Sequence, residues 1–81
     1  MKQLMCQIEV MWDAEARVWL ATSADVPGLA TEADTMELLT EKLRQMVPEL
    51  LRLNAVIPEH EAHTISMVLN SHREERVEVA A

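Results

Sequence analysis

Ser23-Ala24-Asp25-Val26-Pro27-Gly28-Leu29-Ala30-Thr31-Glu32-Ala33-Asp34-Thr35 holds the one glycine of this 81-residue chain and its sharpest turn signal, Val26-Pro27-Gly28. Pro27 presets φ for the first central position of a turn. Gly28 then takes φ > 0 without steric cost, as a type II turn requires. Leu29 to Ala33 reads as a short strand leaving the turn, and Asp34-Thr35 as the start of a helix. With no second glycine, this turn fixes how whatever precedes it meets the rest of the fold.

Before the turn the pattern has period two. Leu4, Cys6, Ile8, Val10 and Trp12 share one face of the segment from Lys2 to Trp12. Gln3, Gln7 and Glu9 share the other with Met5 and Met11, the mark of a half-buried strand. Asp13-Ala14-Glu15-Ala16 reads as a hairpin connection, and Arg17 to Thr22 as the returning strand. Without glycine the connection is expected to be a four- or five-residue loop built on a type I turn. Trp12 and Trp19 then meet across the pair and close the end of the core.

After the turn the period becomes helical. Asp34 and Glu37 form a capping-box-like pair. Leu39, Leu43, Met46, Leu50 and Leu53 make an apolar stripe, widened by Met36, Val47 and Leu51. Pro48 either kinks this helix or divides it. The stripe continues on both sides, which predicts a kinked single helix about 30 Å long. Asn54 is expected to take the left-handed terminating conformation, and Pro58 bars resumption. Ala62 to Ser71 is the last strand, with Ile65, Met67 and Leu69 on one face and Val68 on the other. Residues 72–81 form a tail or a further edge strand. The order β-β-β-α-β gives an α+β fold, one mixed sheet with one long helix packed on one face. Its long crossover suits parallel strands.

Composition narrows the function. Fourteen acidic residues against seven basic ones give a net charge of −7. Such a surface repels phosphate, so direct nucleic-acid binding and attachment to an anionic membrane are not expected. One glycine excludes a phosphate-binding glycine loop, and one cysteine, Cys6, excludes both an intrachain disulfide and a cysteine-rich zinc site. His60 and His63 are three apart where a helical zinc motif needs four, and Asp13, Asp25 and Asp34 read as turn and capping residues. No metal or other cofactor is expected. No targeting segment or membrane span is visible, which points to a cytoplasmic protein. A core this small, filled by methionine and aliphatic residues, gains from burial in an oligomer or against a partner. The expected assembly is a homodimer or higher homo-oligomer. The residues picked for a partner interface are Trp12, Asp13, Trp19, Met5 and Met11.

The run Trp12-Asp13, Glu15-Ala16 and Val18-Trp19-Leu20-Ala21 is followed by Ser23 and by Asp25-Val26-Pro27-Gly28-Leu29-Ala30-Thr31-Glu32. It continues with Asp34-Thr35, Glu41-Lys42-Leu43, Val47-Pro48-Glu49-Leu50-Leu51 and Asn54. It resembles the HicB-like antitoxin family, and most closely its short, stand-alone, uncharacterised members. The resemblance implies a single domain over 1–81, with a core at 2–71, and a partial RNase H-like fold. It also implies a protein-binding module that neutralises a small basic HicA-like mRNA interferase toxin by binding it. HicB proteins often carry a C-terminal DNA-binding domain, and the tail after Ser71 is too short and too acidic for one. An RNase H-type active site needs carboxylates on the first strand, whose inward positions are apolar here, so catalysis is not expected. The alternative is a free-standing homo-oligomeric domain with another binding role.

Overall fold

The computed structural model describes residues 2–81. Strands β1 (Lys2–Asp13), β2 (Val18–Thr22) and β3 (Ala30–Ala33) are followed by helix α1 (Met36–Leu53) and strand β4 (His63–His72). The sheet order is β3-β2-β1-β4. β1 runs antiparallel to β2 and parallel to β4, and β2 runs antiparallel to β3, so the sheet is mixed. The fold is α+β with the single helix on one face, as the element order implied.

The alternation in β1 sets which face is dry. Cys6, Ile8 and Val10 point toward α1 and are buried, whereas Met5, Gln7, Glu9 and Met11 are exposed on the opposite face. α1 lies nearest β3 and β2, over the buried Ala21 and Ala33. Leu39, Leu43, Val47 and Leu51 supply its buried row. This corrects the predicted stripe: the buried row steps by four throughout, Met46 and Leu50 lie at its margin, and Leu53 is 78% exposed. Leu53 points away because, two residues after Leu51, it falls about 200° around the helix from the last residue of the buried row.

The hairpin loop occupies the four residues between Asp13 and Val18, which pair with each other. Asp13 Oδ1 accepts from the amides of Glu15 and Ala16 at 3.0 and 3.1 Å, and the Arg17 amide donates to the Asp13 carbonyl at 2.7 Å. Arg17 takes φ 58°, the left-handed residue that returns the chain into β2. The second turn is the expected one: Gly28 has φ 79° and the Leu29 amide donates to the Val26 carbonyl at 3.2 Å. β3 begins at Ala30, one residue later than the pattern indicated, because Leu29 closes this turn.

Of the expected cap residues Asp34, Thr35 and Glu37, Thr35 is the cap, while the Asp34–Glu37 pairing and the conformation of Asn54 are corrected. Thr35, not Asp34, caps α1: its Oγ1 accepts from the Leu38 amide at 3.1 Å, which leaves Asp34 outside the helix and Glu37 in the first turn without a capping-box partner. At the other end the left-handed residue is Ala55, with φ 57°, while Asn54 has φ −97°. The Val56 amide reaches the Leu51 carbonyl at 2.8 Å and the Ala55 amide the Arg52 carbonyl at 3.1 Å, the pair of bonds that defines a Schellman ending. Asn54 instead uses its side chain, donating to the Leu50 carbonyl at 2.9 Å and to the Pro27 carbonyl at 3.4 Å. The helix end is thus tied to the Pro27-Gly28 turn. α1 runs through Pro48 as one helix.

Arg52 organises the crossover into β4. Its guanidinium donates to the carbonyls of Pro58, Glu59 and Glu61 at 3.2, 2.9 and 3.4 Å. Residues 73–81 follow β4 without a strand of their own, and all are exposed.

Candidate functional site

The face of the sheet away from α1 is the broadest feature the helix leaves uncovered. The ladder registers place Gln7 beside Val68, Glu9 beside Asn70 and Met11 beside His72. On the other side of β1, Met11 lies beside Leu20 and Glu9 beside Thr22. The centre is polar. Asn70 donates to Gln7 Oε1 at 2.9 Å and to Glu9 Oε1 at 3.4 Å, and His72 Nε2 lies 3.4 Å from Glu9 Oε2. Around this centre stand four exposed apolar side chains, Met5, Met11, Leu20 and Val68. The face therefore offers apolar contact area around a preformed polar strip that carries one acid, Glu9. Glu32, paired with Leu20 across β2 and β3, adds a second.

The five interface residues picked from the sequence do not form one patch. Met5 and Met11 lie on this open face. Trp12 and Trp19 lie on the helix side at the hairpin end, half-buried, with ring centroids 5.2 Å apart and planes tilted by 58°. The guanidinium carbon of Arg73 sits 4.4 Å from the Trp12 ring centroid and 5.8 Å from that of Trp19. The tryptophans thus close the end of the core under a cation, and Asp13 serves the loop. Leu20 and Val68 are the face residues missing from that choice, although parity against Trp19 and Ala21, and against Met67 and Leu69, places both outward. Arg73 carries no sequence signal, because nothing local shows that the chain leaves β4 across the tryptophan pair.

The motif residues make contacts that turn chemistry alone does not suggest. β2 stops pairing with β1 at Thr22 opposite Glu9. Two residues earlier on β1, the Gln7 amide donates to Asp25 Oδ2 at 2.7 Å and Ser23 Oγ donates to the Gln7 carbonyl at 2.6 Å. Ser23 Oγ also accepts from the Asp25 amide at 3.0 Å. Two side chains thus continue the ladder where the strand has turned away. Val26, next in the motif, is fully buried. Burial pushes the Cys6 thiol above its ordinary pKa, and the negative charge of Asp25 pushes it further the same way. Cys6 packs within the core cluster, closed off from solvent.

The metal-ligand candidates stay apart. His60 lies in the crossover loop, His63 begins β4, and Asp13, Asp25 and Asp34 occupy three separate sites. Among the described residues no three His, Cys, Asp or Glu side chains gather as a metal-binding group. No helix in the described residues is long and apolar enough to cross a membrane.

These features define a small α+β domain with one sheet face closed by a helix and the other open. Residues 5–80 match the family described as a domain of unknown function, DUF1902, and the chain belongs to that family. Among solved structures it is similar to a hypothetical protein, TTHA1013, from the extremely thermophilic bacterium Thermus thermophilus. The two share 41% identity with a TM-score of 0.70, over 90% of this chain and 99% of that one. No curated protein matches the chain.

Proposed function

We propose that this protein is a non-enzymatic protein-binding module of the HicB-like kind, whose partner is a small basic protein such as a HicA-like mRNA interferase toxin. The observation that carries the reading is the open sheet face, with Met5, Met11, Leu20 and Val68 exposed around a polar strip that includes Glu9. Apolar anchors beside acidic groups suit a partner with a basic surface, and a net charge of −7 speeds encounter with it. The non-enzymatic part of the proposal rests on β1, where the helix-facing positions Leu4, Cys6, Ile8, Val10 and Trp12 include no carboxylate. Glu9 is occupied with Asn70 and His72 on the other face. Nothing in the module's chemistry calls for a cofactor, and the cytoplasm is the compartment proposed for it.

The test is co-expression with the small basic proteins of the source cell, followed by calorimetry on any that co-purify. Binding is expected to weaken at least tenfold on M5K or M11K and to slow in association as salt rises. Failure of every small basic protein to bind, or binding indifferent to both substitutions, overturns the proposal. The second reading, a free-standing homo-oligomer, is favoured by one observation: Val77 and Val79 stand 79% and 90% exposed on the tail after β4.

A further inference from the structure

The outer edge of β4 and the tail beyond it form a single unsupported run. β4 is an edge strand, with β1 as its one neighbour in the sheet of the described residues. Ten residues of β4 followed by nine extended ones would span about 63 Å at roughly 3.3 Å per residue. The longest dimension of the molecule is 63 Å, against 19 Å in the other two directions. This run therefore sets the molecule's length. A ten-residue open edge invites another strand. The tail has a strand's pattern, Arg76-Val77-Glu78-Val79, but pairs with no strand of its own chain among the described residues.

We propose that the tail of one copy adds as a fifth strand to the open β4 edge of a second copy, and that the second copy's tail does the same in return. The pairing is antiparallel about a two-fold axis at His72. It places Val77 opposite Met67 and Val79 opposite Ile65. Directly opposed residues share a face of the sheet, so both valines join the helix-side apolar row of Ile65, Met67 and Leu69, which α1 leaves half-buried. On the other face Glu78 meets Ser66 and Ala80 meets Thr64. The same register sets the two His72 side chains against each other and Glu75 opposite Leu69; moving the axis to Arg73 sets two permanently charged guanidinium groups against each other instead. Moving it to Ser71 puts Val79 against His63. The residues from His63 to Ala81 give each copy nearly the 20–30 residues per side of a standard interface. Arg73, stacked on Trp12 and bonded through Nε to Glu75 Oε1 at 2.6 Å, fixes the direction in which the tail departs. This dimer uses the β4 edge and leaves Met5 and Met11 uncovered, although it brings Arg76 beside Val68 at the rim of their face, so it stands or falls separately from the binding of a basic partner at Met5 and Met11.

The test is light scattering coupled to gel filtration on the full chain, on the V77K/V79K variant and on a chain ending at His72. Circular dichroism checks that each is folded. The full chain is expected to be a dimer, and both altered chains monomers at concentrations where the full chain is wholly dimeric. Oxidation of the M67C/V77C variant is expected to give an interchain disulfide, which S66C/V77C does not form. A monomeric full chain overturns the proposal. So does a dimer that survives removal of the tail, which would place the contact on the Met5 and Met11 face, and so does cross-linking through position 66 instead of 67.

Discussion

The two halves of the sheet bury their helix-side residues by different means. Under α1, β2 and β3 present Ala21 and Ala33, both buried. Small side chains let the helix approach closely, so its Leu39, Leu43, Val47 and Leu51 fill the space at interior density. On the β4 side the helix-facing residues are larger, Ile65, Met67 and Leu69, and yet they are only half-buried. Residue size does not decide burial here. The helix sits where its crossover and the Asn54–Pro27 tie hold it, nearest β3 and β2, and the β4 residues pack only against the margin of the core.

The strongest way to break this contrast is to delete comparable volume on both sides. Leu43→Ala removes atoms from a fully buried site and is expected to cost about 3 kcal/mol, whereas Met67→Ala in the monomer costs about 1 kcal/mol. Urea unfolding midpoints at constant m-value measure both. Equal losses in the chain ending at His72 would show that the two halves are packed alike. A Met67→Ala loss that grows with protein concentration is what tail exchange produces. Next in size is Gly28→Val, expected to cost about 2 kcal/mol, since Gly28 sits at φ 79° under the helix end. A Cβ there would meet Leu50 Cδ2 at 3.8 Å, an ordinary contact, so the cost is conformational and not steric. Unchanged stability would remove this turn from the list of what holds α1 over β2 and β3.

The well-packed half is legible in the sequence and the other half less so, for physical reasons. Period-two alternation in β1 and the Pro27-Gly28 pair are local signals, and each element they imply is present within a residue or two. The helix stripe is harder to place, because Leu and Met at steps of three and four describe a broad face. Only the position of the sheet shows that Val47, and not Met46 or Leu50, completes the buried row and that Leu53 points to solvent. The cap is ambiguous because Asp34 and Thr35 are both good caps, and a one-residue difference in where φ and ψ turn helical decides between them. Of the candidate face, Met5 and Met11 are readable by parity. The Ser23 and Asp25 bonds to Gln7 are not, because they depend on where β2 stops relative to β1.

The end of α1 permits a gain in stability on the well-packed side. Ala55 holds a left-handed φ of 57° in a Schellman ending, a conformation that costs an L-residue energy and glycine none. Ala55→Gly is expected to stabilise by about 1 kcal/mol in the same urea assay. A loss would mean that the Ala55 methyl packs more favourably than its backbone is strained.

The smallest effect lies at the seam between the halves, where Cys6 pairs with Met67 in the ladder and is 1% exposed. Burial, then the charge of Asp25, raises its thiol pKa in the folded chain. The folded protein therefore keeps the proton after the unfolded chain has begun to lose it. The stability this contributes is fully present below the unfolded thiol's pKa and is lost as pH rises through the folded one. One proton can change stability by no more than about 1.4 kcal/mol per pH unit, and only between those two pKa values. Cys6→Ala removes the titration, so wild-type and variant stabilities are expected to diverge only above the ordinary thiol range. The comparison cancels the lysines and the chain terminus, and the chain has no tyrosine to obscure it. Asp25→Asn should narrow the window by removing the charge while keeping an acceptor for the Gln7 amide. Parallel pH profiles for wild type and Cys6→Ala would mean that water reaches Cys6 along the β4 side, and that the half-covered strand opens more readily than its burial implies.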